Sequence, residues 1–80
     1  MIYIKRPLIV EAEQYKEGFI PPFESKGAIY HYDVENKQLL LETLNGSVII
    51  NDGEWVIKGI KGEFYPCKSD IFDASYELME

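Results

Sequence analysis

The stretch KQLLLETLNGSVIINDGEWVIKGIKGEFY, Lys37–Tyr65, decides how the rest of the chain is read. Three turn signals cut it, Asn45-Gly46, Asp52-Gly53 and the weaker Lys61-Gly62. Between them lie runs of about five to nine residues rich in Ile, Val and Leu, too short for an amphipathic helix. They predict the strands Ser47–Asn51, Glu54–Ile60 and Glu63–Tyr65, and their rhythm predicts an all-β domain.

Upstream, Lys37–Leu44 pairs with Ala28–Val34 in the clearest hairpin, joined around Asp33–Asn36. Tyr30, Tyr32 and Val34 share one face of the first arm, Ile29 and His31 the other. In the second arm Leu39 and Leu41 oppose Leu40 and Leu44, which predicts a central strand buried on both sides at its middle. Nearer the start, Leu8, Val10 and Ala12 alternate with Ile9, Glu11 and Glu13, so Leu8–Tyr15 is the expected first strand. Pro7 fits at its beginning, where a missing N–H does least harm. Glu17–Lys26, around Pro21-Pro22, is either a loop anchored by Phe19, Ile20 and Phe23 or holds one helical turn after Pro22.

Downstream, Pro66 has no N–H to give a ladder, so pairing is expected to stop or break there. Ser69–Asp73 reads as one helical turn, with Asp70 near its positive end and Ile71 and Phe72 pinning it down. Ala74–Met79 is the expected closing strand, with Tyr76 and Leu78 on one face. The chain as a whole predicts a small antiparallel β fold of about six strands, a partly closed barrel or rolled sheet with one short helical turn.

Composition sets the bounds. Eighty residues, 46% of them hydrophobic, make one domain spanning 1–80, which buries roughly 60–65% of its unfolded surface. That is too apolar for a disordered chain. Fourteen acidic and eight basic residues leave a charge of −6, which argues against nucleic-acid backbone binding. The basic residues run Lys5-Arg6, Lys16, Lys26, Lys37, then Lys58, Lys61 and Lys68, and only the last three lie close in sequence. No basic start precedes an apolar run, so no signal peptide is expected. The longest near-apolar run, Gln38–Leu41, falls far short of a membrane span. Cys67 is alone, without disulfide partner or zinc-type spacing, which suits a reducing cytosol. A cytoplasmic protein without membrane partner is the expectation.

The densest chemistry is EFYPCKSDIF, Glu63–Phe72. As scaffold, Phe64, Pro66, Ile71 and Phe72 are corner and plug residues, with Tyr65 and Cys67 on the opposite face. That reading is favoured because a small β domain needs aromatic payload. As a site, Tyr65, Cys67, Lys68 and Asp70 form the lip of a pocket, with Lys58 and Lys61 nearby on the preceding hairpin. It would suit a small anionic ligand: a ring to stack on, ammonium groups, and the N–H groups of a helix start.

The remaining candidates are weaker. A nucleophilic Cys67 needs a base, and the only histidine, His31, sits in another hairpin. Lys68 and the following turn would lower its pKa, but cysteine is usually a small buried hydrophobe. Tyr30-His31-Tyr32 is either a half-exposed sheet surface or a stacking platform. Trp55 is expected in the core; exposed, it would mark a binding hot spot. Glu11/Glu13 and Asp52/Glu54 read as solvated pairs, giving no support for acid–base chemistry. Asp70 and Asp73 lack further ligands for a metal. The acids alternate with lysines, which does not suit mimicry of DNA.

Two segments carry a resemblance. YIKRPLIVEAEQY, Tyr3–Tyr15, and GEWVIKGIKGEFYPCKSDIFDASYE, Gly53–Glu77, resemble a family of small bacteriophage and prophage proteins. Its members read as a KKP-plus-apolar strand ending EAxQY, then GDW- or GDY-I-I-K-G-V-x-G-E-F-Y-P-C-K-P-D-I-F-E and a final TYE. The match covers about half the chain; Glu17–Asn51 matches poorly. Two departures matter: the family's GD is Gly53-Glu54 here, and the proline after the lysine is Ser69, which offers a hydroxyl cap in place of a rigid helix start. The resemblance implies a phage or prophage origin and an accessory role, and implies no reaction.

The expectation is therefore non-enzymatic binding, with no catalytic residue, metal or cofactor. The partner would be a host protein or a small anionic, nucleotide-type signal used in bacterial defence. A domain this small has little concave volume, so a ligand pocket would form between copies, which points to a homo-oligomer. The alternative is a structural or assembly protein, or a protein-interaction module, favoured if Phe19, Ile20 and Phe23 are exposed.

Overall fold

The computed structural model describes residues 1–4 and 7–79. The Lys5-Arg6 pair lies outside the described residues. Among the described residues six strands and one α-helix follow each other: β1 (Glu11–Gln14), β2 (Tyr30–Asp33), β3 (Gln38–Thr43), β4 (Gly46–Ile50), β5 (Trp55–Lys58), β6 (Phe64–Cys67) and α1 (Ser69–Ser75). They form two three-stranded antiparallel sheets, ordered β1-β5-β6 and β2-β3-β4. The fold is mainly β, as expected, but the sheets do not close into a barrel or roll into one surface.

The Asp52-Gly53 corner is where they separate. Asn45-Gly46 leads back antiparallel, pairing Leu41 with Val48 and Leu39 with Ile50. Asp52-Gly53 instead carries the chain from one sheet to the other. Gly53 adopts φ 88 there, and its N–H donates to the Tyr15 carbonyl at 2.8 Å, while the Tyr15 N–H donates to the Glu54 carbonyl. Those bonds lengthen the β1–β5 ladder, so the strand after the corner takes β1 and β6 as neighbours rather than β4.

The main core lies between the sheets. Leu39, Leu41 and Ile50 from one sheet meet Val56 and Phe64 from the other, and all are buried. Leu41 and Val56 have no exposure at all. Phe23 closes one side, its ring 5.6 Å from that of Phe64. The Glu17–Lys26 segment combines both expectations. Phe23 and Pro21 are buried anchors, and Glu24–Lys26 is a 3₁₀ turn ended by Gly27 in the left-handed region. Phe19 and Ile20 remain about half exposed.

Four sequence expectations are corrected. The turn after β3 is Leu44-Asn45, one residue early, because Thr43 clasps it. Its Oγ1 accepts from the Asn45 N–H and donates to the Gly46 carbonyl, and Gly46 takes φ 102 at the start of β4. Leu44 thus stands on a hairpin tip, 82% exposed, and not on a buried strand; Leu40 is only half buried.

The first strand is Glu11–Gln14, not Leu8–Tyr15. Its partner β5 ends at Lys58, opposite Glu11, and a loop closed by Gly62 follows, so earlier residues have nothing to pair with. Leu8 is 51% and Ile9 78% exposed.

Pro66 does not end pairing but lies inside β6, opposite Val56. The Gly59 N–H donates to the Glu63 carbonyl, so alternation makes Val56–Pro66 a pair without ladder bonds. The proline nitrogen then faces the free edge of β6, where no donor is needed. Last, α1 runs to Ser75 and no strand follows over 76–79. Its N-cap is Lys68, so Ser69 is the first helical residue and supplies no cap.

The radius of gyration is 13.5 Å and the extents are 48 × 27 × 22 Å, against about 12 Å for a compact chain of this length. The long axis reflects ends that leave the body, where Met1, Ile2 and Ile4 are almost wholly exposed. Among the described residues no helix is long and apolar enough to cross a membrane.

Candidate functional site

On β5 and β6, alternation sends Ile57, Tyr65, Trp55 and Cys67 to the face away from the main core. Helix α1 covers that face. Phe72 stacks on Trp55 at 4.0 Å and 8°, and Tyr76 stacks on Phe72 at 4.9 Å. Ile57 beneath them is fully buried. The stretch Glu63–Phe72 thus builds a second, smaller core, with Phe64 and Pro66 turned the other way. Ile71 points out, 53% exposed, so Phe72 alone of the expected pair pins the helix.

The lysines proposed to gather round Tyr65 are spread out. Lys58 lies opposite Phe64 and Glu11, on the other face of the sheet from Tyr65. Lys61 is in the β5–β6 loop. Lys68 is at the far end of β6, a strand about 13 Å long. The start of α1 is occupied by Asp70, whose Oδ1 accepts from the Ile71 N–H at 2.9 Å. A carboxylate there disfavours an anion, and seven residues make a weak dipole.

Burial, then Asp70 and Glu54, push the Cys67 thiol up, the reverse of what Lys68 was expected to do. Its sulfur donates to the Lys68 carbonyl at 3.6 Å. His31 is on the other sheet, bonded to Glu42 Oε1 at 3.0 Å, so it is no base for Cys67. Less thiolate at neutral pH means slow chemistry. Alkylation of Cys67 by iodoacetamide near pH 7 is expected to run slower than that of free cysteine, and Asp70→Asn should quicken it. A Cys67 faster than free cysteine would contradict this environment.

Tyr30 and His31 face opposite ways on β2. His31 is on the outer face beside Leu40, and Tyr30 on the inner face beside Leu41. They form no common stacking platform. The Tyr30 hydroxyl is buried without a partner among the described residues, as is Trp55 Nε1. Burial, with Glu24 second, pushes the Tyr30 phenol up to about 12. Burial likewise takes Tyr65, beside Tyr76, to about 12.

The folded protein therefore holds these protons more tightly than the unfolded chain. The resulting stability is full below about pH 10 and is lost as the pH rises towards the folded value. Removing an unpaired buried hydroxyl relieves a penalty of about 1 kcal/mol. Tyr30→Phe is expected to raise Tm at neutral pH by about 4–8 °C and to flatten the alkaline decline. Urea midpoints measured either side of pH 10 test both; a less stable Tyr30→Phe at neutral pH would contradict them.

Composition gave no warning of a concave surface beside β6. Two adjoining open hollows, of about 300 and 330 Å³, run along the free edge of β6. Both touch Thr43 and Leu44, at the end of β3 and on the β3–β4 tip, and Glu63 and Phe64, just before and at the start of β6. Val48 and Pro66 extend one end, and Ile29 and Glu42 the other. Together they make a trough with a largely apolar lining, two acids, Glu42 and Glu63, and one base, Lys26. The Lys58–Phe64 pair has the same phase as Val56–Pro66, so the Phe64 N–H and C=O and the Pro66 C=O point out from the sheet edge. Leu44 was the available signal: a large apolar residue beside Asn45-Gly46 belongs on a tip.

Among the described residues no group of three His, Cys, Asp or Glu side chains is placed to hold a metal ion. No family model matches the chain, and no curated protein or solved structure shows significant similarity to it.

Proposed function

We propose that the chain is a non-enzymatic binding module that captures an extended segment of a partner protein along the trough beside β6. The supporting observation is a bare strand edge set in an apolar channel. A segment laid there would gain main-chain hydrogen bonds from Phe64 and Pro66 and side-chain burial against Leu44 and Val48. The setting we propose, from the motif resemblance, is that of a phage or prophage accessory protein acting on a host protein in the cytoplasm. The scattered lysines lend the anionic-signal alternative no pocket within one copy. Partly exposed Phe19 and Ile20 favour a protein partner.

The test is a panel of extended peptides, apolar with basic residues, titrated into isotopically labelled protein carrying Ile2→Asp and Ile4→Asp, so that the chain's own exposed apolar residues cannot compete for the trough. Shifts confined to Leu44, Val48 and Phe64, and lost in Leu44→Asp, are the expected result. Peptide shifts centred elsewhere, or none with any sequence, would remove the reading.

A further inference from the structure

The arm that precedes β1 is the least explained part of the surface. Met1, Ile2, Tyr3, Ile4, Leu8 and Ile9 are between 51% and 103% exposed. Water is a poor environment for six large apolar side chains on one short stretch. Among the described residues nothing on its own body covers them, and β5 ends opposite Glu11.

We infer that the arm of one copy lies as an added strand in the trough of a second copy, and the second copy's arm in the trough of the first, making a two-fold dimer. This rests on the trough being an acceptor for extended segments and names the segment that fills it.

Three observations select a second copy. The first is charge. Residues 1–10 carry two basic residues and no acidic one, whereas the other seventy carry six basic against fourteen acidic. A basic apolar arm is complementary to an acidic body; Glu42 and Glu63 line the trough with Lys26, whose ammonium is already paired with Glu11 at 2.7 Å.

The second is area. Six side chains at on the order of 100 Å² each place about 600 Å² on one arm. Reciprocal exchange buries that and a comparable trough surface on each copy. The total passes the about 800 Å² per partner that a stable interface takes.

The third is edge chemistry. Phe64 presents a matched N–H and C=O, and Pro66 only a C=O, so an incoming strand needs few ladder bonds and draws its affinity from apolar contacts. Reciprocal exchange also closes, so it makes a dimer and not a fibre.

Sedimentation equilibrium of the full chain is expected to show a dimer at micromolar concentration. The double arm variant Ile2→Asp/Ile4→Asp and the trough variant Leu44→Asp are each expected to be monomeric, their circular dichroism spectra like that of the parent. Both changes are at exposed positions. A synthetic peptide of residues 1–10, added to the labelled arm variant, should shift Leu44, Val48 and Phe64. A parent that stays monomeric at high concentration, or an arm variant as dimeric as the parent, would overturn the exchange. If other extended peptides enter the trough but the arm peptide does not, this inference falls and the acceptor reading stands. If no peptide enters, both fall.

Discussion

Leu41→Ala should lower the melting temperature by roughly 10–25 °C, while Leu44→Ala, three residues along, should leave it within a few degrees. The two leucines sit in one run of sequence and differ only in where the hairpin places them. Leu41 is in the middle of β3, between Tyr30 and Val48, with no exposure. It is where the two sheets press together, and truncating it leaves a cavity that neither sheet can fill without shifting its register. Such cavities cost about 3 kcal/mol. In a chain of this length that is a large part of a total near 4–12 kcal/mol. Leu44 is 82% exposed on the tip, where its methyl groups bury little. Parallel thermal melts decide the matter. Equal losses would contradict the placement of Leu44 on an exposed tip, and reversed losses would mean that the faces of β3 are exchanged, as a slip of one residue would do.

The legible parts of the fold were those set by local chemistry. Asp33–Asn36, Leu44–Gly46 and the Lys61-Gly62 loop all stand where turn residues announced them, to within a residue. Leu39 and Leu41 are buried as expected, but the expected burial on both faces of β3 fails at half-buried Leu40 and exposed Leu44. The division into two sheets was not legible, because Asp52-Gly53 looks the same whether the chain returns along its own sheet or crosses to another. That choice depends on Tyr15, thirty-eight residues before Gly53, which bonds to both sides of the corner. Pro66 misled for a related reason: a proline ends a central strand but is tolerated on an edge, and strand order is a tertiary property.

The candidate site suffered the same way. Lys58, Lys61 and Lys68 are neighbours in the chain, but one strand reversal and one change of face separate them. The trough is assembled from Leu44 and Phe64, twenty residues apart, and a hydrophobic residue on a tip carries no chemical label. The alternation from Leu8 onward promised a strand, of which only Glu11–Gln14 is paired within the copy. Leu8 and Ile9 have no strand partner there, which is why the arm is open to being completed from outside.

Phe72→Ala should detach α1. The helix has seven residues, far fewer than the twelve or so needed for stability alone, and it has no side-chain cap. It is held by the column Trp55–Phe72–Tyr76, in which Phe72 is the middle ring. Removing that ring breaks both stacks and opens Ile57 to water. The ring is half buried, so the cost lies towards the lower end for aromatic truncation, about 2–3 kcal/mol, of which stacking supplies about 1 kcal/mol. Tm should fall by roughly 10–20 °C, Trp55 emission should move to the red, and the amides of α1 should exchange quickly. Ile71→Ala, at an exposed neighbour on the same helix, should change none of these. The column also explains why Trp55 is half-buried outside the main core: it is the floor on which the helix rests. Were Trp55 emission unchanged in Phe72→Ala, α1 would have to be held by contacts other than this column, and the second core would lose its keystone.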